Sequence, residues 1–319
     1  MSFQAACQNA FIIQRAGDEK MSGRNAGLSQ AASGVFVLLW SGGAIFTRLG
    51  LNDATALALL IARFSVALLA LVLICLLRRQ WLPEKGTRLR VAITGVLFIG
   101  GYSVCYFQAM AHNITPGLLA AVLGIQPILT LCCTERGFRG CRLAGLMIAL
   151  GGLFLLVWRS LLVSGFPLSG MIFSLSALAC ITTGTVMQKQ IEQPPVRVLP
   201  LQYAASLLLC LLMLPFSPVT ICLTPELILS VVFLGLIVSV VAQLLFYRML
   251  IKGSLVNVTS LFYLVPVTTA LLDYLLLGNR LPWSAMAGMV AIFAGIWLVF
   301  RSAEPQRDPD RDSLPDKLS

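Results

Sequence analysis

Of the 319 residues, 58% are hydrophobic and only 11% charged, far below the roughly 25% charged residues that cover a soluble domain. A soluble enzyme or binding module of this size is excluded, and lipid must solvate most of the surface. The 23 Lys and Arg against 13 Asp and Glu read as the positive charge that collects in cytoplasmic loops, so no nucleic-acid partner is expected.

Residues 1–32 are polar and mixed, a cytoplasmic segment expected to be disordered. No apolar core leads to a small-residue cleavage site, so no signal peptide is expected, and Met21 stands as an alternative start. Ten apolar segments follow, at about 33–50, 54–77, 90–110, 115–134, 142–159, 167–188, 197–216, 226–248, 254–277 and 282–300, on the criterion of ~20 residues per span. The tail, 301–319, is charged, rich in Asp and Pro, and expected to be disordered and cytoplasmic. With the N-terminus inside and the spans alternating, nineteen basic residues fall in cytoplasmic segments. Only Arg48, Arg159 and Arg280 fall outside, and Arg63 lies within a span. That bias puts both termini in the cytoplasm.

The chain repeats itself. At an offset of 139, Phe107, Met110, Pro127 and Thr130 meet Phe246, Met249, Pro266 and Thr269, and Arg63-Phe64 meets Gln202-Tyr203. The first and sixth spans align at 141, with Gly43 over Gly184 and Arg48 over Lys189. Past the prolines the offset is 143, with Gly145 over Gly288 and Gly152 over Gly295, so the first copy is one helical turn shorter between spans four and five. Each copy holds five spans, an odd number, so the second enters the membrane upside down. The expected fold is all-α: ten transmembrane helices in two inverted five-helix repeats, residues 33–160 and 161–300. Inverted repeats characterise secondary transporters, whose substrate sits near the midplane between the halves and is exposed alternately to each side.

Several stretches carry a family resemblance: LLWSGGAIFTRLGL in span one, ARFSVALL in span two, YFQAMAHNITPGLLAAVLGIQPILT across spans three and four, and FYRMLIKGSLVNVTSLFYLVPVTTA onward across spans eight to ten. Together they resemble the drug/metabolite transporter superfamily, with two EamA-type five-helix units over roughly 34–300. The family often has an acidic residue in an LGER-like turn after span nine. Here LGNRL puts Asn279 there, and the shortened turn of the first half holds Glu135. The resemblance implies export or exchange of small metabolites through a bacterial inner membrane and leaves the substrate open.

Arg63 is the sharpest single residue, about nine residues or ~14 Å below the outer surface. A cation there costs at least ~2.5 kcal/mol and faces a cavity or a partner. It is a candidate to bind an anionic group of the substrate, such as a carboxylate. The alternative is structural pairing, with helix-end carbonyls or with Asp273, the acidic residue within span nine. Asp273 is in turn the candidate for carrying a coupling proton.

Pro127 and Pro266 are expected to bend their spans and free the carbonyls of Leu123 and Phe262 for substrate or water. Gln126 sits beside the first. Tyr102 and Tyr106, and Gln243 and Tyr247, share helix faces at i, i+4. Trp40, Gln202 and Tyr263 complete the candidate cavity residues, while Tyr247, beside Arg248, reads better as an interface residue. The span glycines are expected to allow close helix contact. Nine cysteines lie mostly in apolar runs without a Cys-x-x-Cys pair, so neither a disulfide framework nor a zinc site is expected. With a single histidine and no constellation of nucleophile and base, no enzymatic activity and no cofactor are expected.

Overall fold

The computed structural model describes residues 32–302 apart from 80–81, 135–139, 164–166, 218 and 278–281. Glu135, Asn279, both terminal segments and the side chain of Asp273 lie outside the described residues. Among the described residues, ten helical spans stand where ten were expected, with a further short helix at Trp158–Val163 after the fifth. They are α1 (Ala32–Gly50), α2 (Ala56–Arg78), α3 (Arg88–Ala111), α4 (Pro116–Thr134), the shorter α5 (Gly140–Leu156), α6 (Leu168–Lys189), α7 (Pro195–Leu212) and α8 (Pro225–Ile251). Then come α9, built from Leu255–Ser260, a 3-10 turn at Leu261–Tyr263 and Leu264–Leu277, and α10 (Trp283–Arg301).

In lipid, backbone groups have no water to bond, so apolar runs satisfy them internally as helix. Threonine followed by proline starts two of these helices. Thr115 Oγ1 accepts from Leu118 N at 3.3 Å ahead of α4, and Thr224 Oγ1 accepts from Leu227 N at 3.1 Å ahead of α8. Proline at the first helical position loses no hydrogen bond, because that N–H has no intrahelical partner.

The glycines show how the two copies are related. A Cβ on Gly145 would meet Gly295 O at 2.8 Å, and one on Gly152 would meet Gly288 O at 2.7 Å. Conversely, a Cβ on Gly288 would meet Gly152 O, and one on Gly295 would meet Gly145 O, both at 2.5 Å. Since Gly145 corresponds to Gly288 and Gly152 to Gly295, each glycine touches the counterpart of the other glycine on its own helix. Two antiparallel helices can do that only about a two-fold axis perpendicular to both, which lies in the membrane plane. The inverted repeat is therefore visible in the α5–α10 crossing, where small residues bring backbones together without a hydrophobic drive.

The same exchange recurs inside the bundle. Gly95 of α3 leaves no room against Gln202 of α7, where a Cβ would approach Cα to 2.5 Å, and a Cβ on Gly235 of α8 would meet Val66 Cγ1 of α2 at 2.8 Å. Each copy's third helix is thus held by the other copy's second. Pairs 139 residues apart that touch each other mark the axis itself. Phe64 and Tyr203 meet edge-on with ring centroids 5.7 Å apart, and the Tyr263 hydroxyl donates to Gly124 O at 2.6 Å.

Two features departed from expectation. Both third helices contain π-helical stretches, Val96–Gly101 in α3 and Phe233–Ala242 in α8, and the 139-residue offset superposes them. π-turns concentrate at functional positions, and hydrophobic periodicity gave no sign of these. The proline spans are broken rather than bent. In α4 helix ends at Leu123 and resumes at Gln126, and in α9 the 3-10 turn Leu261–Tyr263 intervenes. Each proline thus falls in the first turn of a new segment, where its missing N–H costs little.

Candidate functional site

One cavity of about 790 Å³ lies between the halves, walled by α1, α2, α3, α4 and α9, with contributions from α5, α6 and α8. Arg48, Asn52 and Pro116, exposed at the ends of α1 and α4, line it beside half-buried Gly117, which puts its mouth there. The mouth therefore opens at the end of the bundle opposite the one where α1 begins and α10 ends, called here the terminal end. Deeper walls include Tyr102, Tyr106 and Phe107 of α3, Leu234 and Val238 of the α8 π-stretch, and Phe262, Pro266 and Thr269 of α9.

Trp40 lies at the floor, packed on Phe36 at 5.2 Å and on Phe262 at 5.4 Å between centroids. Phe246 stacks on Phe36 at 5.4 Å and on Phe98 at 5.7 Å. These rings fill the space below the cavity. Beyond them, towards the terminal end, polar groups bond to one another. The Tyr247 hydroxyl donates to Gln202 Oε1 at 2.7 Å, and Gln202 Nε2 donates to Gln188 Oε1 at 2.8 Å. Lys189 Nζ donates to the carbonyls of Leu250 and Gly253, at 2.5 and 2.7 Å. Arg142 reaches Ser254 Oγ and Asn257 Oδ1, at 2.8 and 2.7 Å. The cavity is open at one end and sealed at the other.

Arg63 lines the cavity. Its Nε donates to Ser239 Oγ at 2.8 Å, and its guanidinium carbon lies 5.7 and 5.8 Å from the ring centres of Phe64 and Phe107. The Ser239 hydroxyl passes its own hydrogen to Leu234 O at 2.8 Å, a bond spanning five residues within the π-stretch. Aromatic faces offer a cation partial compensation for lost water, and the serine fixes the planar group in one orientation. Among the described residues lining the cavity, the charged ones are Arg48 and Arg63, and none is acidic.

Of the sequence-predicted residues, Trp40, Arg63, Tyr102, Tyr106, Gln126 and Pro266 come together around this space. Gln126 is nearly buried, and its amide nitrogen lies 3.3 Å from Thr185 Oγ1. Gln202, Gln243 and Tyr263 lie off the cavity. Gln202 sits in the sealed network, Gln243 is buried on α8, and Tyr263 bonds Gly124 O on the axis. Pro127 is buried beside the break and does not line the space. The carbonyls seen captured at the breaks are those of Gly124 and Val265, the latter accepting from Ser41 Oγ at 3.2 Å, rather than those of Leu123 and Phe262. Each break begins a residue or more away from where a simple proline kink would put it. Tyr247 is completely buried and not at an interface, because Gln202 supplies the partner its hydroxyl needs. Sequence reading missed Ser239 and Phe107. Phe107 carried a signal, being one of the residues shared between the copies.

Ten helical spans among the described residues, in two inverted halves with a solute-sized cavity between them, define a polytopic membrane protein. The chain belongs to the EamA-like transporter family, whose model matches it twice, over residues 31–158 and 168–301. It is a multi-pass integral membrane transporter, not an enzyme, and its family handles small-molecule substrates. It is similar to Protein PecM of Dickeya dadantii (strain 3937), 28% identical over 227 residues, covering 68% of this chain and 75% of that protein. It is also similar to a protein described as a probable amino-acid metabolite efflux pump of Salmonella typhimurium (strain LT2), 26% identical over 284 residues, covering 82% of this chain and 91% of that one. A solved structure titled only as a crystal structure of a protein shares the fold, with a TM-score of 0.73 at 19% identity over 86% of this chain and 99% of that chain.

Proposed function

We propose that this protein is a carrier that exports small amphipathic metabolites, amino acids or related compounds, across a bacterial inner membrane by alternating access, with both termini in the cytoplasm. The observation that carries the reading is the cavity, open at one end and sealed at the other by side chains from both copies, Arg142 of the first bonding Ser254 and Asn257 of the second. A channel needs a continuous path; a carrier needs one closed end at a time. With the basic residues inside, the open mouth is periplasmic and the form described is outward-open. The relative described as a probable amino-acid metabolite efflux pump agrees in direction and in solute class.

Arg63 is the anchor for an anionic group such as a carboxylate. Ser239 and the flanking rings hold its guanidinium in place, and charge-assisted bonds to a carboxylate are the strong ones. The aromatic floor and walls accept the apolar part of the solute.

The test is counterflow in proteoliposomes with a panel of labelled amino acids and analogues, chosen from those to which overexpression confers resistance. Saturable exchange is expected for at least one compound. Arg63→Ala is expected to lower kcat/KM for it by ~100-fold, about 2.7 kcal/mol, with Arg63→Lys intermediate. No resistance and no exchange across the panel would defeat the exporter reading, and normal transport by both variants would defeat the anchor.

A further inference from the structure

Lys189 and Arg48 occupy matching positions, one at the C-terminal end of α6 and the other near the end of α1. Lys189 is engaged: its ammonium bonds the carbonyls of Leu250 and Gly253, in the last turn of α8 and just past it. Helix C-termini leave carbonyls without intrahelical donors and carry partial negative charge, so a cation there is doubly favoured. Subtracting the offset of 139 turns Leu250 and Gly253 into Ala111 and Ile114, the end of α3 and the turn that leads into α4. Arg48 is exposed, lines the open mouth, and has no hydrogen-bond or ion-pair partner among the described residues. Pro116 and Gly117, just past that turn, line the same mouth. At the sealed end their counterparts, Leu255 and Val256, are buried, at 6% and 0% exposure.

We propose that Lys189 and Arg48 are alternating latches, resting on the carrier reading above. When the terminal end is shut, Lys189 holds the end of α8 and Arg48 is free. When the carrier turns over, Lys189 lets go and Arg48 docks on the carbonyls at the end of α3, shutting the opposite mouth. Each cation closes the end at which it lies, and the helix end it grips belongs to its own copy. The two copies thereby keep the same closing bond in both states while exchanging which one is made. Thr47 and Gln188, each one residue before its cation, differ in kind. The sealed end therefore holds an additional side-chain bond, Gln188 to Gln202, which fits the outward-open form being the resting one.

The experiment reads the two mouths separately. In the full chain with its nine native cysteines replaced by serine or alanine, Gly117→Cys reports the opposite mouth and Val256→Cys the terminal one, by maleimide labelling in proteoliposomes. Lys189→Gln is expected to raise labelling at position 256 by about 10-fold or more and to lower it at 117, the shift a lost charge-assisted bond gives a two-state equilibrium. Lys189→Arg, which keeps the charge, is expected to stay near the parent. Arg48→Gln, a change on an exposed residue, is expected to leave 256 less reactive than in the parent. Arg48→Cys and Asn113→Cys, joined by a short bifunctional maleimide, are expected to trap the form in which position 256 reacts. Unchanged labelling in Lys189→Gln, or a joined 48–113 pair with 256 still sealed, would overturn the proposal. Labelling does not depend on transport: reciprocal shifts in a protein that moves no solute would defeat the carrier reading and leave the latches standing. Active transport with labels that never shift would defeat the latches alone.

Discussion

At one end of the bundle Gly117 lines an open mouth; at the other its counterpart Val256 is completely buried. The comparison extends inward. Arg63 faces the cavity with its Nε held by Ser239, while Gln202, its match in the second copy, is bonded on both sides by Tyr247 and Gln188. The scaffold around the two sites is shared, down to the superposed π-stretches and the reciprocal glycines. What differs is the chemistry placed on it. One half presents a cation and aromatic rings to an empty space, and the other spends its polar groups on each other. Duplication supplies a frame with two equivalent ends, and divergence of a few residues gives the two halves different polar groups on it.

The most damaging way to break this comparison is to remove the contact that relates the halves. Gly152→Leu places a side chain where a single Cβ would already lie 2.7 Å from Gly288 O. It is expected to cost ~3 kcal/mol or more, the upper range of overpacking, seen as a large fall in thermal midpoint in detergent. An unaltered midpoint would mean that the crossing is not as tight as described. A change confined to the sealed half is Tyr247→Phe, which leaves buried Gln202 Oε1 without its donor at ~1–3 kcal/mol. The loss should appear together with increased labelling at Val256→Cys and no change in the affinity of the open cavity. Adding Gln202→Leu and Gln188→Leu, which together remove the orphaned acceptor and the Gln188 oxygen that Gln202 serves, should recover much of that stability. If the triple variant is as unstable as the single one, the network is not what holds this end. The smallest effect is expected on the axis, where Tyr263→Phe deletes the bond to Gly124 O at about 1 kcal/mol, with both ends affected alike.

Much of this was legible in the sequence, because lipid leaves a chain few choices. Spans follow from apolar length, and the repeat follows from glycines and prolines, whose positions are set by backbone rather than by side-chain chemistry. Arg63, Trp40, Tyr102 and Tyr106 could be collected as candidates because polar or amphipathic groups within a span need a partner or a cavity. The same rule is silent on which of the two supplies the need. Gln202, Gln243 and Tyr263 have the same sequence signature as Gln126, yet lie away from the space it lines. The breaks at Pro127 and Pro266 were visible, but not their form, since a proline says only where a donor is missing. The π-stretches left no trace, because adding one residue to a turn changes no residue type. Ser239, in an otherwise apolar run, becomes meaningful only once the fold sets it beside Arg63.

Tyr263 and Gly124 occupy one position seen twice, and they touch because that position lies on the axis. In an assembly of two identical five-helix units, any residue there would face a copy of itself. Two tyrosines would contend for one space, and two glycines would leave a carbonyl bare. A large donor facing a small acceptor is a solution open only to a chain whose halves are encoded separately. Joining the copies in one polypeptide therefore does more than fix their number: it allows the centre of a symmetric molecule to be asymmetric.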